Sequence, residues 1–302
     1  ALLLGILQAS TPVPQQSPWY LYPVVNYGVA TGFFANSNHM ASLLLVSIPF
    51  IAAVGAKLRE RAKDVRMQTM GLVLAFSGLI LVALGLWLNR SLAGLGLGVP
   101  VLIASLIILF GLPRRFARSG LAVIGLGGIA ALALLWTAPV GPGFDQLGAS
   151  TSVTSRQQIL TKSAELIREF GPVGTGLGTF KDIYPLLEDP AEVDRYYINH
   201  AHNDYAELAV ETGVAGVLLL LLFLVWWPFA VRRMFRSAAS DQFAYAGAIA
   251  SAALLLHSAV DYPLRTAALS AVFAMSLALI LLSRRTVRSD KDLRPTRHLV
   301  VG

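Results

Sequence analysis

The strongest cluster of groups able to move a proton near neutral pH stands in one short run. It reads His200-Ala201-His202-Asn203-Asp204-Tyr205 and is followed by Glu207 and Glu211. An imidazole serves as a general base when a neighbour holds one ring nitrogen and leaves the other free. Asn203, Asp204 and Glu207 are the candidates for that neighbour. The His-x-His spacing also presents two imidazoles to a metal ion, yet only Asp204 stands nearby and no second His or Cys group completes a zinc set. A third reading is structural, a hydrated helix start at a membrane interface.

Cations able to meet an anion are sparse. Arg90 is the one charge between Met67 and Pro113, in a short turn between apolar runs. A guanidinium there is costly unless it reaches the interface or meets an anion. Arg156 opens a run to Phe170 that reads as an amphipathic helix, with Ile159, Leu160, Ile167 and Phe170 on one face, Thr154 or Ser155 as cap and Gly171-Pro172 as stop. A cation at a helix N-terminus is mildly unfavourable unless an anion is shared there. Both arginines read either as interfacial and surface residues or as two forks for the oxygens of a phosphate-bearing polyanion. Gly174-Thr175-Gly176-Leu177-Gly178-Thr179-Phe180 lacks the lysine and context of a nucleotide loop and reads as a structural turn. His257 and Asp261, followed by Tyr262-Pro263-Leu264-Arg265, are either functional ionisable groups or a hydrogen-bonded pair that packs two helices. Asn36-Ser37-Asn38-His39 can bind sugar hydroxyls or cap a helix.

These groups hang on a membrane frame. Of 302 residues, 55% are apolar and 14% charged, and no Asp, Glu, Lys or Arg precedes Lys57, so the first 56 residues cannot form a solvated globular surface. With no cysteine, disulfide and thiolate chemistry are excluded, leaving histidines 39, 200, 202, 257 and 298 as zinc ligands or bases near neutral pH. Crossing a hydrocarbon layer of about 30 Å takes about 20 helical residues. Seven uncharged runs qualify, near residues 40–56, 68–88, 92–112, 120–138, 213–231, 243–260 and 266–283, with residues 1–9 as the tail of an earlier span. Four segments, Lys57 to Arg66, Arg114 to Arg118, Arg232 to Asp241 and the tail from Arg284, hold 17 of the 24 Lys and Arg. Alternating spans place all four on one side, cytoplasmic by the positive-inside rule. The other side receives residues 10–39, 89–91, 139–212 and 261–265, with twelve of the seventeen acidic residues. The net charge of +7 is therefore the sum of a basic inner face and an acidic outer one, and nucleic-acid binding explains it poorly. Residues 139–212 exceed ordinary connections in length, so this loop is expected to fold, with a second helix starting near His200. Trp19, Tyr20, Tyr22, Tyr27, Phe33 and Phe34 give the first outer segment the aromatic content of an interfacial belt.

Several motifs in one order now carry a resemblance. His202-Asn203, nine residues, Gly213, two residues and Gly216, within HAHNDYAELAVETGVAG, resembles the signature of the O-antigen ligase and Wzy polymerase superfamily. Thr31 to His39 resembles that superfamily's TGTFxNxNH stretch, Asn89-Arg90-Ser91 its SRG turn, Ser155-Arg156 with Gly174 to Phe180 its R…GxGxGTF segment, and His257 to Pro263 its HSxxDxP segment. The likeness runs over residues 20–283. Ser91-Leu92 follows Arg90 where a Gly is usual.

The resemblance implies an all-α integral membrane protein, a GT-C-type polytopic helical bundle with a large, partly helical periplasmic loop and further N-terminal spans ahead of this chain. Its expected parts are transmembrane helices in 1–138, the loop 139–212, transmembrane helices in 213–283 and a cytoplasmic tail 284–302. It implies a metal-independent, inverting glycosyltransferase of the bacterial inner membrane, with no cofactor, working at the periplasmic face. The donor would be a glycan on undecaprenyl pyrophosphate and the acceptor a glycan or lipid A-core hydroxyl, among membrane lipids and without nucleic acid. His202 would be the base, with Arg90, Arg156, Asn203, His200, Asn38, His39 and Asp261 binding substrate. The acidic residues Glu188, Asp189, Glu192 and Asp194 would repel a phosphorylated lipid A-core and favour polymerase use. A protein O-oligosaccharyltransferase is a related alternative. A transporter using His257, Asp261 and Arg90 is a different one, which would place its coupled charges near the membrane midplane.

Overall fold

The long apolar runs begin at side-chain caps. Asn36, Asp64, Ser91 and Asp241 accept from the backbone N–H of Asn38, Met67, Gly94 and Phe243, satisfying donors that a helix start leaves free. The computed structural model describes residues 1–111, 122, 125–129, 149–188, 198–236 and 241–283, without the side chains of 149–155. Its helices are α1 (Leu2–Ala9), α2 (Ser37–Arg61), α3 (Val65–Asn89), α4 (Leu92–Phe110), α5 (Ala149–Phe170), α6 (Phe180–Ile183), α7 (Asp204–Arg236), α8 (Gln242–His257) and α9 (Ala267–Leu282). No strand occurs among the described residues. Four helices, α2, α3, α4 and α7, are long and apolar enough to cross a membrane, and α8 and α9 are shorter apolar helices of 16 residues. The chain is an all-α, multi-pass membrane protein. Most of the expected span at 120–138 and the whole tail from Arg284, with His298, lie outside the described residues.

Helix α2 is the central post. It packs against α3, α4 and α8, burying Leu45, Ile48, Ala52 and Ala53 with Leu86, Leu97, Val101 and Ala253. The buried face of α8 is almost entirely Ala, Gly and Ser, which lets it lie close to α2 and α9. Large apolar side chains point outward from α3 (Val73, Leu74, Ile80) and α7 (Leu218, Leu219, Leu222), as on helices that face lipid. The two ends of the bundle differ. At one end Asn89 Nδ2 donates to the carbonyls of Ala30 and Ser37, and Asp204 meets Ser258. At the other, Lys57, Arg59 and Arg61 end α2 while Arg232, Arg233 and Arg236 end α7, and Gln242 Nε2 at the start of α8 donates to Glu60 at 3.3 Å.

Helix α7 carries the outer layer into the membrane and breaks at Gly213 (φ 58°, ψ −149°). The loop after α5 fills the break: Thr175 N–H donates to Val210 O, Gly176 N–H to Glu211 O, and Val214 N–H to Pro172 O. These bonds satisfy backbone groups that the interrupted ladder releases. The Gly174 to Phe180 run is thus a packing turn. Above it Ile159 and Leu166 of α5 meet Phe180, Tyr184, Ala201 and Val210. Three local expectations change. Helix α5 begins at Ala149, so neither Thr154 nor Ser155 caps it, Arg156 is two turns inside, and the helix-dipole argument for Arg156 fails. Its buried face is Ile159, Ser163 and Leu166, while Ile167 points outward, because the face follows i, i+4, i+7 spacing. The second loop helix begins at Asp204 rather than His200.

A Cβ at Gly213 would stand 2.2 Å from Pro172 O in a backbone conformation that L residues avoid, whereas Gly178 (φ 78°) has open space around it. Gly213→Ala is therefore expected to lower the thermal midpoint in detergent clearly more than Gly178→Ala, which bears only backbone strain of about 1–3 kcal/mol. Equal midpoints for the two variants would contradict this packing.

Candidate active site

A single buried carboxylate gathers side chains from across the chain. Asp261, 1% exposed, sits in the turn between α8 and α9. Asn38 Nδ2 donates to its Oδ2 at 2.6 Å, and Asn36 Nδ2 and the Tyr262 N–H donate to its Oδ1 at 3.3 and 2.9 Å. Arg156 Nη2 and His39 Nε2 each stand 3.5 Å from a carboxylate oxygen, and His202 Nδ1 stands at 3.7 Å. Burial alone pushes the Asp261 carboxyl up. The nearby imidazoles of His202 and His39 and the Arg156 guanidinium outweigh burial and hold it well below the usual carboxylate range. Tyr262 beside it is pushed up to about 12, first by burial and then by the Asp261 charge.

Local structure delivers each group. Asn36 caps α2 with its Oδ1, so the Asn38 and His39 side chains leave the first turn of that helix toward Asp261. Ser91 Oγ caps α4 and donates to Asn38 Oδ1 at 2.7 Å, which ties the Asn89-Arg90-Ser91 turn to the same carboxylate. Arg90 projects from that turn, exposed, with no ion pair to a described residue. Arg90 (φ 58°) and His202 (φ 49°) are the non-glycine residues with positive φ among those described. Such strain is held only where surroundings impose it and clusters at functional sites.

The neighbours of His202 differ from the sequence expectation. None of Asn203, Asp204 or Glu207 faces its ring; Asp261 does, 59 positions onward. Asn203 Nδ2 donates to Ala259 O while its Oδ1 accepts from the N–H groups of Tyr205 and Ala206, so Asn203 caps the start of α7. His200 Nδ1 lies 2.8 Å from Glu207 Oε1, so the two histidines of the His-x-His run share no common centre. Nor do His257 and Asp261 pair through their side chains: His257 is fully buried and its Nδ1 shares a hydrogen bond with Ser42 Oγ at 2.7 Å.

Three further carboxylates, Asp204, Glu207 and Glu211, follow 3-then-4 spacing on one face of α7 and are all buried. Arg265 is their shared cation, with Nη1 2.7 Å from Glu211 and 3.2 Å from Glu207, and Nε 3.9 Å from Asp204. Each acid also binds a different segment: Asp204 accepts from Ser258 Oγ and Leu264 N–H, Glu207 from Ala201 N–H, and Glu211 from Gly178 N–H. Arg265 and Tyr262 were not among the expected site residues. Their signal was a cation and an aromatic in a five-residue outer turn opposite three acids on one helix face. Tyr262 stacks on His200 at 4.1 Å and meets the edges of His39 and His202 at 4.6 and 5.1 Å.

Residues 75–221 match the family model Wzy_C, described as O-antigen ligase. This stretch belongs to the O-antigen ligase family. The match supports a glycan-transfer function of the O-antigen ligase or polymerase type. The matched O-antigen ligase segment holds Arg90, Arg156, His200, His202 and Asn203, and stops short of Asn38 and His39 on one side and Asp261 on the other. It is therefore narrower than the resemblance over 20–283, and the fold completes it by bringing residues 36–39 and 261–265 against it. No curated protein matches the chain. Of the acidic loop residues, Glu188 is described and Asp189, Glu192 and Asp194 lie outside the described residues.

Because the Asp261 carboxyl is held below its unfolded value of about 3.9, its stabilising contribution is present above that pH and is lost as pH falls through the folded value. Asp261→Asn is expected to lower the thermal midpoint at pH 7, with the deficit against the unsubstituted protein shrinking below about pH 4. A deficit independent of pH over that range would show that the charge is not what matters.

Proposed function

We propose that this O-antigen ligase family chain transfers a glycan from undecaprenyl pyrophosphate to an acceptor hydroxyl, with His202 as general base. The observation that carries this reading is the convergence of His202 and Arg156 on the buried Asp261, at the bundle end opposite the basic helix termini. By the positive-inside rule that basic end is expected on the cytoplasmic side, which supports a site at the periplasmic face of the inner membrane.

Asp261 faces His202 Nδ1 and leaves Nε2 as the nitrogen that accepts a proton. A separation of 3.7 Å is long for a hydrogen bond, and contacts of this kind tighten when substrate is bound. In the reaction the acceptor oxygen forms a bond to the anomeric carbon and its proton passes to His202. The bond from that carbon to the pyrophosphate oxygen breaks, with inversion. Charge develops on the departing lipid pyrophosphate, where the exposed Arg90 and the partly exposed Arg156 bind its oxygens. Asn38 and His39 hold Asp261 rather than sugar in the resting site, and His200 buttresses Tyr262. The acidic residues around Glu188 favour a lipid-linked glycan over a phosphorylated lipid A-core as acceptor.

In a purified assay with lipid-pyrophosphate-linked glycan, His202→Ala is expected to slow transfer by about 100- to 10,000-fold, the usual contribution of a general base. Arg156→Ala should fall as well, and Arg156→Lys should not restore it, because an ammonium lacks the fork. Full transfer by the His202 and Arg156 variants would overturn the assignment. In cells lacking the protein, short lipid-linked repeats would indicate a polymerase and long unligated chains a ligase.

A further inference from the structure

We infer that Glu207 is the positioning residue for His202, setting the backbone of the 200–202 turn so that the imidazole meets Asp261. This rests on the reading of His202 as the base. His202 is held at φ 49°, a left-handed conformation that residues with a side chain seldom adopt, so the chain on either side must be fastened. After it, Asn203 is fixed by its bonds to Ala259 O and to the N–H groups of Tyr205 and Ala206. Before it, both carboxylate oxygens of Glu207 are engaged: Oε2 accepts the Ala201 N–H at 2.9 Å and Oε1 accepts from His200 Nδ1 at 2.8 Å.

Glu207 is itself fixed. It is 1% exposed, Arg265 Nη1 lies 3.2 Å from its Oε1, and its own N–H donates to Asn203 O in the first turn of α7, next in the chain after His202. His200, so oriented, stacks on Tyr262 at 4.1 Å, and the edge of Tyr262 limits the His202 ring from a second side. A glutamine at 207 keeps the shape, but with its oxygen on the Ala201 N–H its amide N–H groups face the Arg265 guanidinium and meet His200 only if Nδ1 turns from donor to acceptor, so the present set of bonds is not kept. Small displacements of a reacting group cost about 100-fold in rate, and the loss should appear in turnover rather than in donor binding.

The test is a double-mutant cycle in the purified full chain with lipid-pyrophosphate-linked glycan as donor. Glu207→Gln is expected to lower kcat by about 10- to 100-fold with KM for the donor within about twofold and the protein still folded by thermal melt. Combined with His202→Ala it should add nothing, since a group that acts through His202 has no effect once the base is gone. The inference is overturned if Glu207→Gln keeps full kcat, or if it lowers rate by the same factor with and without His202. Glu207→Asp, which keeps two acceptor oxygens, should recover part of the lost kcat and covers the case in which the glutamine variant melts early; no recovery in a folded aspartate variant also counts against it. Unimpaired transfer by His202→Ala alone would instead sink the assignment of the base, a separate outcome.

Discussion

Everything at the site end of this molecule depends on keeping one carboxylate charged out of reach of water. Asp261 has lost its hydration, and desolvation of this kind costs several kcal/mol per ion unless donors replace the water. Two asparagine amides, a backbone N–H, a guanidinium and two imidazoles surround it. These donors come from the start of α2, from α5, from the turn before α7 and from the Asp261 turn itself. The energetic requirement of one group thereby fixes the relative placement of segments far apart in the chain.

A second set of charges performs the corresponding task for the outer layer. Asp204, Glu207 and Glu211 present three acids along about two turns of α7, and each fastens another segment while sharing Arg265. Removing one partner from such a set leaves buried charge uncompensated, which is far costlier than losing an exposed pair. The arrangement buttresses the 200–202 turn without occupying the space beside His202. Gly213 lets the same helix change course below this layer, and the loop after α5 takes up the backbone bonds that the break releases.

The division of charge between the ends of the bundle links fold to chemistry. Exposed basic residues crowd the termini of α2 and α7 at one end, while at the other Asp204, Glu207, Glu211 and Asp261 are buried and Arg90 is left exposed. An anionic leaving group placed at the acidic end would be repelled by the carboxylates if they were bare. Their pairing with Arg265, Arg156 and the asparagine amides confines that field and leaves Arg90 open to an incoming anion.

Periodicity and composition made the helices legible, because a run with no charge and a polar cap has no other way to satisfy its backbone within lipid. The turn character of Gly174 to Phe180 was legible for the same local reason. His202, Arg90, Arg156 and Asp261 were recognisable as chemistry-bearing residues from type and motif order, and the family match independently covers the first three. What sequence order could not supply was partnership. It suggested Asn203, Asp204 and Glu207 for His202, since they are adjacent, and His257 for Asp261, since four residues make one helical turn. The fold chose Asp261 for His202, Ser42 for His257 and Arg265 for the three acids, because a buried polar group takes whatever partners packing brings near it. That choice is made by helices crossing α2, and only the tertiary structure contains it.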